Sequence, residues 1–358
     1  MAKFTDIFED VTKQGTKIPT NLYLETGMYP IIDQGQSQVA GYTNETEGLF
    51  TDIPAIIFGD HTRIIKYVDT PCFLGADGVK LLKAKDNNAN YKYLYYALCH
   101  ADIPNTGYNR HFKWLKEIDI PEYSVQEQIA IVDQLVSIDS LIALRKQQLL
   151  KLDELVKSRF IEMFGDPESN PYGTPTKKLS DIASYWNGLT YKPEDVQDQG
   201  TIVLRSSNIQ NSQLDFEDTV RVACRIREKQ YVQNNDILMC SRNGSAKLVG
   251  KVALITNITE PMSFGAFMMI IRSDYYRYLM TYFQMDAFRN QIKTGATTTI
   301  NQITGNMLNQ VTLPVPDLSV VSQFAAFVEQ VDKSKLEIQR SLDKFETLKK
   351  ALMQQYFG

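Results

Sequence analysis

Two stretches of this chain set basic, amide and aromatic side chains in close alternation. Asn105-Thr-Gly-Tyr-Asn-Arg-His-Phe-Lys-Trp-Leu-Lys116 carries Asn109, Arg110, His111 and Lys113 beside Tyr108, Phe112 and Trp114. Ser241-Arg-Asn-Gly-Ser-Ala-Lys247 holds Arg242, Asn243 and Lys247 between two strand-like runs, and Gly59-Asp-His-Thr-Arg63 places His61 and Arg63 in the same way earlier in the chain. Such side chains suit nucleic-acid recognition: arginine matches the paired acceptors of guanine, asparagine the edge of adenine, and lysine neutralises phosphate. The plainer alternative makes Phe112 and Trp114 core residues, the bases a solvated face and Asn-Gly ordinary turn chemistry. Arg205 and Asn208, and the trio Thr298, Asn301 and Gln302, are further DNA-contact candidates, although Thr and Asn also satisfy loop backbone.

Chemistry of its own is harder to find. Asn170-Pro171-Tyr172 has one proline too few for the element with which adenine methyltransferases hold a flipped base. No GxxxxGK[ST] phosphate loop is present, so a motor driven by ATP is not expected. Asp317 and Asp332 could suggest a nuclease, but Lys333 and Lys335 follow closely and the site would lie on a packed helix. Cys72, Cys99, Cys224 and Cys240 show no CxxC spacing, and His61, His100 and His111 add no ligand pattern, so neither a catalytic residue nor a metal site is expected.

The net charge of −4 does not by itself mark a nucleic-acid binder. It is unevenly spread: residues 1 to 120 carry 12 basic against 15 acidic residues, and residues 166 to 311 carry 15 against 14. The first residues lack an apolar signal region and no run reaches the roughly 20 apolar residues of a membrane span, so a cytoplasmic protein is expected.

The elements that position these residues occur twice. Ile118-Asp-Ile-Pro-Glu-Tyr-Ser-Val-Gln-Glu-Gln through Phe164-Gly165 has a second version at Val315-Pro-Asp-Leu-Ser-Val-Val-Ser-Gln through Phe357-Gly358, pairing Pro121 with Pro316, Ser124 with Ser319 and Gln128 with Gln323. Neither Gly nor Pro interrupts residues 124 to 164 or 319 to 357, which predicts two long helices. Ser124 and Glu127 offer a capping box; at the second start Ser322 stands in place of the glutamate. Apolar stripes along both helices favour an internal antiparallel pair, interrupted by Arg145, Arg159, Lys335 and Lys349, which either snorkel at a wet seam or fix register. Ahead of each helix lies a β-rich domain: Lys3-Phe-Thr-Asp-Ile-Phe and Lys178-Leu-Ser-Asp-Ile-Ala open matching runs of short strands, followed by helices at Tyr91–His100 and 275–292. A turn-rich linker, Gly165-Asp-Pro-Glu-Ser-Asn-Pro-Tyr-Gly-Thr-Pro, separates the copies.

The fold expected is therefore α+β: two globular domains of short-strand sheets with flanking helices, separated by two long antiparallel helices forming an internal coiled coil, in a pseudo-two-fold repeat. The boundaries read as 1–117, 118–165, 166–311 and 312–358. In this order, with Phe164-Gly-Asp-Pro-Glu-Ser-Asn-Pro171 and the helix starts at Pro121 to Gln128 and Pro316 to Gln323, the chain resembles the specificity subunit of type I restriction-modification systems. The resemblance implies that each domain is a target recognition domain reading one half of a split, asymmetric double-stranded DNA site. It also implies that the helices set the gap and dock two methyltransferase subunits, with restriction and translocase subunits joining, and that S-adenosylmethionine, ATP and Mg belong to those partners. A coiled-coil adaptor joining proteins without reading DNA is the competing class, and a fused modification enzyme a third.

Overall fold

The computed structural model describes residues 1–75, 78–293 and 302–358. It divides into two compact units, one formed by Met1–Gln147 with Gln339–Gly358 and the other by Gln148–Ile338.

The first unit contains β1 (Ala2–Lys3), β2 (Phe8–Asp10), β3 (Tyr29–Ile32), β4 (Gly41–Thr43), β5 (Ala55–Gly59), β6 (Ile65–Val68), β7 (Phe73–Leu74), β8 (Val79–Ala84) and β9 (Asp119–Ile120). Its main sheet has the antiparallel order β2-β8-β5-β6. Every residue of β5 is buried, as expected of an uninterrupted Ala-Ile-Ile-Phe run covered on both faces. Helices α1 (Phe4–Ile7), α2 (Tyr91–His100) and α3 (Phe112–Leu115) pack on one face: Phe4, Tyr93, Leu98 and Leu115 share a core with Ile56 and Phe58. Asn90 starts α2 by accepting the backbone N–H of Tyr93 at 3.1 Å.

The second unit repeats the plan with β10 (Thr176–Lys178), β11 (Ser184–Asn187), β12 (Val196–Leu204), a hairpin of β13 (Ile209–Gln210) and β14 (Gln213–Leu214), β15 (Arg221–Val222), β16 (Ile237–Cys240), β17 (Val252–Leu254), β18 (Met262–Phe264), β19 (Met268–Arg272) and β20 (Thr312–Pro314). The order β2-β8-β5-β6 returns as β11-β19-β16-β17. The order β4-β3-β7 returns as β15-β12-β18, each central strand again having one antiparallel and one parallel neighbour. The pair β1–β9 returns as β10–β20.

The single helix expected at 275–292 is instead two, α5 (Tyr276–Tyr282) and α6 (Asp286–Lys293). The N–H groups of Gln284 and Met285 bond to carbonyls three residues back, those of Thr281 and Tyr282, and the chain turns so that the Phe283 and Phe288 rings meet at 4.8 Å. No Gly or Pro marks the break; tertiary packing makes it. A short α7 (Gly305–Leu308) takes the place of α3.

The long helices are α4 (Val125–Phe164) and α8 (Leu318–Phe357). Ser124 caps α4 reciprocally with Glu127: the serine Oγ accepts the Glu127 N–H at 3.3 Å, and the carboxylate accepts the Ser124 hydroxyl at 2.7 Å and the Ser124 N–H at 2.8 Å, which hold Glu127 below the usual carboxylate range. Helix α8 begins one residue before Ser319. The carbonyl of Asp317 accepts the N–H groups of Val320 and Val321, and the Ser322 hydroxyl donates back to Leu318 at 2.8 Å.

Each unit holds a stretch of both helices, side by side and antiparallel. In the first, Tyr356 reaches Gln134 at 2.9 Å, Lys349 pairs with Asp139 and Lys146 with Glu346. In the second, Lys335 pairs with Asp153, and the Phe160 and Phe164 rings meet each other and both Tyr278 and Phe324. Exposed ion pairs contribute about 0–1 kcal/mol each, so the buried rings carry the cohesion. The Lys335 and Lys349 pairings favour register setting, whereas Arg159 bonds along its own helix to Glu162 and covers the Phe327 ring. None of the described helices is long and apolar enough to cross a membrane.

Candidate nucleic-acid interface

Both units tie the loop after a central strand to the loop before a short helix by the same bond. In the first, the carbonyl of Asp60, just beyond β5, accepts the backbone N–H of His111 at 2.7 Å. In the second, the carbonyl of Ser241, just beyond β16, accepts the N–H of Ile303 at 2.7 Å. Candidate segments far apart in sequence thus come together on each unit.

In the first unit the Asp60 carboxylate is buried and also accepts the Phe112 N–H at 2.8 Å. Gly59 is required at the turn, because a Cβ there would stand 2.3 Å from the Thr62 hydroxyl and 2.8 Å from Gln34 Cβ. His61 stacks on Tyr108 with ring centres 4.6 Å apart and planes 7° from parallel, and its Nδ1 meets the Asn109 carbonyl at 3.1 Å. Tyr108 remains 86% exposed. Around it Asn109, Arg110, Lys113 and Lys116 are exposed; Lys113 lies over Trp114 at 4.1 Å and Lys116 over Phe112 at 4.8 Å. The first unit therefore presents His61, Tyr108, Asn109, Arg110 and Lys113 around one loop pair.

His111 is a correction. It is fully buried, its Nδ1 sits 2.9 Å from the Asp60 carbonyl and its Nε2 3.4 Å from the Thr106 hydroxyl, so both ring nitrogens serve the loop that Arg110 rides on. Arg63 is half-buried with left-handed backbone at φ 62°, and its guanidinium donates to the Ile103 carbonyl at 2.9 Å.

In the second unit Arg242 is exposed, lies over the Phe267 ring at 5.3 Å and bridges Gln302 through the backbone. Phe267 is 59% exposed, and its carbonyl accepts the N–H groups of Ser241 and Arg242 at 2.9 and 3.1 Å. The Asn243 amide donates to the Ser206 hydroxyl at 3.1 Å, while its carbonyl closes an Asx turn on Ser245 at 3.0 Å. Lys247 is exposed on the same loop. Arg242, Asn243, Lys247, Gln302 and the Arg205–Asn208 turn are thus neighbours.

Within that turn, Asn208 is the second correction. It is buried, accepts the Arg205 N–H at 2.8 Å and donates to the carbonyls of Asp215 and Asp218 at 2.8 and 3.0 Å. Arg205 itself is paired with Asp218 at 2.7 Å. Thr298 and Asn301 lie outside the described residues.

Sequence reasoning missed Asp60 and Phe267. An aspartate in a turn and an aromatic ahead of a strand gave only the signal that each could be local structure. Among the described residues no cluster of three His, Cys, Asp or Glu could hold a metal ion. The cysteines are unpaired, and burial pushes the Cys72 thiol up to about 11, away from nucleophilic behaviour.

Comparison with known proteins agrees with this duplicated arrangement. Over 183 residues, 48% of this chain, the sequence is 28% identical to the specificity subunit of the type I restriction enzyme StySPI of Salmonella potsdam and 26% identical to that of EcoKI of Escherichia coli K12; the matched stretch spans 39% of each relative's length. The fold is similar to that of a type I restriction-modification S subunit from M. genitalium, with a TM-score of 0.59 at 17% identity over 99% of this chain and 95% of that one. A family model described as the type I restriction modification DNA specificity domain matches residues 1–154 and 172–345, and the chain belongs to that family.

Proposed function

We propose that this chain is the DNA sequence-specificity subunit of a type I restriction-modification complex, in which recognition domains at residues 1–117 and 166–311 each read one half of a split asymmetric site. The observation that carries this reading is the shared loop-to-loop bond from Asp60 to His111 and from Ser241 to Ile303. One backbone device presents two different sets of exposed side chains, Asn109, Arg110 and Lys113 in one domain and Arg242, Lys247 and Gln302 in the other. Arginine and the amides then contact base edges and the lysines phosphates. Catalysis belongs to partners: two methyltransferase subunits using S-adenosylmethionine, and restriction subunits using ATP and Mg, all in the cytoplasm.

The long helices set the gap between the half-sites and dock the methyltransferase subunits. Exposed leucines support docking: Leu144 and Leu348 in one unit, Leu150, Leu155 and Leu336 in the other. Single-molecule sequencing of DNA from cells expressing this chain with its methyltransferase is expected to show a split methylated motif. An adaptor without DNA reading predicts the same assembly and no such motif.

A further inference from the structure

Between β15 and β16 the chain runs through Ala223-Cys-Arg-Ile-Arg-Glu-Lys-Gln230, part of neither loop pair described above. Its side chains alternate. Cys224 and Ile226 turn inward against Leu189, Val203 and Val222, while Arg225, Arg227 and Lys229 are exposed. The backbone at Arg227 is extended, with φ −75° and ψ 145°. Residues two apart on such backbone project from one face about 7 Å apart, which sets Arg225 and Arg227 near the spacing of successive phosphates, and a 3-10 turn at Glu228–Gln230 then holds Lys229.

Four other arginines of this domain are held in ion pairs. Arg205 pairs with Asp218, Arg221 with Glu260 through both nitrogens, Arg272 with Asp236 and Arg277 with Asp332. Arg225, Arg227 and Lys229 have no ion pair among the described residues, although Glu228 lies between two of them and Asp195 stands close enough to raise the Cys224 thiol further than its burial alone. The segment is also anchored. Trp186 of β11 donates its indole N–H to the Lys229 carbonyl at 2.8 Å, and the buried Ser263 hydroxyl donates to the Gln230 carbonyl at 2.8 Å. With the backbone already anchored, only the side chains of these cations have freedom to lose on meeting a polyanion.

The corresponding connection of the first domain, from β4 to β5, reads Asn44-Glu-Thr-Glu-Gly-Leu-Phe-Thr-Asp-Ile-Pro54 and carries only acidic charge. A general need of the fold for solubility would be met by either sign; the basic row belongs to one domain alone.

We propose that Arg225, Arg227 and Lys229 form a phosphate-contact ribbon that grips the backbone of double-stranded DNA beside the second half-site without reading bases. The proposal rests on the reading of this chain as a DNA specificity subunit. Two guanidiniums and an ammonium within five residues fit the dense, continuous charge of a duplex better than the scattered acidic groups of a protein surface.

The test uses the full chain assembled with its methyltransferase subunits, on a duplex carrying the methylated motif and on one lacking it. Each lost phosphate contact lowers the slope of log affinity against log salt by about 0.9. The variant Arg225→Ala/Arg227→Ala/Lys229→Ala is expected to lose about 2–3 from that slope on both duplexes, with the methylated motif unchanged. Arg225→Lys/Arg227→Lys is expected to keep the slope near that of the unaltered chain, which separates lost charge from a damaged fold. An unchanged slope in the alanine variant, or an altered motif, overturns the ribbon while leaving the specificity reading intact. If the unaltered complex methylates no split motif and does not distinguish the duplexes, the specificity reading itself fails and takes the ribbon with it.

Discussion

The two globular domains share a strand order and a loop-closing bond, and differ in what they carry on it. Asp60 secures the first domain's loop with a buried carboxylate beneath His61 and Tyr108; Ser241 secures the second with a hydroxyl donated to the Phe267 carbonyl at 2.9 Å, under an exposed Arg242. The connection after the edge strand is acidic in one and basic in the other. The lesson is a division of labour: buried apolar strands decide where a loop sits, and a few exposed side chains decide what it meets.

That comparison can be broken in four ways. The largest effect is expected from Phe160→Ala. The ring is fully buried against Phe164, Tyr278 and Phe324, and its loss costs about 3–5 kcal/mol. Hydrogen exchange should accelerate across the second unit and stay unchanged in the first; equal acceleration in both would mean that the units do not hold themselves together separately.

Next comes Asp236→Ala. This buried carboxylate takes two bonds from Arg272, at 2.6 and 2.8 Å, and the N–H of Gln233, and by the first of these it raises the arginine above its ordinary value. Arg272 is about one-third exposed, so the expected loss is discounted to about 2 kcal/mol, read as a lower denaturant midpoint at constant slope.

The third contrast sets a proposed reading residue against a framing one. Arg242→Ala is expected to relax one base position of one half-site by about 1–3 kcal/mol. His111→Ala should instead lower stability and leave base preference alone, since the ring faces inward. Methylation mapping distinguishes the two, and a motif shifted by the histidine variant would return His111 to the interface.

The smallest effect is a pH dependence confined to the first domain. Burial raises the Asp10 carboxyl, but hydrogen bonds from Thr12 and Lys80 outweigh it and leave it below its ordinary 3.8. A carboxyl lowered by folding stabilises the folded state above that value, and the contribution fades as the pH falls through the lowered one. Half-exposed as the pair is, it is worth less than about 1 kcal/mol. Melting of Asp10→Asn against the unaltered chain should differ at pH 6 and converge as the pH falls through the lowered value; a gap that stays constant would assign the effect to shape instead of charge.

Much of the frame was legible in the sequence because it rests on local patterns. Tyr91–His100, the all-apolar β5 run and the two uninterrupted helices follow from periodicity and from where Gly and Pro stand. The break at Phe283 was not legible, since it answers to ring packing and no residue there forbids a helix. The candidate site was legible as segments and not as single residues. Arg110 and His111, or Arg242 and Asn208, are equally polar on paper, and only the folded chain turns one outward and engages the other with backbone carbonyls.

The first unit takes Gln339–Gly358 from far along the chain, with Met353 and Phe357 inside its core. During synthesis, at about 5–20 residues per second, the stretch from Gln148 to Ile338 takes roughly 10–40 s to emerge. Throughout that interval the cluster that holds Ile131, Val132 and Leu135 lacks Met353 and Phe357. The second unit is continuous in sequence and can close first. The domain translated first is therefore the one finished last, and for those seconds its core stands incomplete.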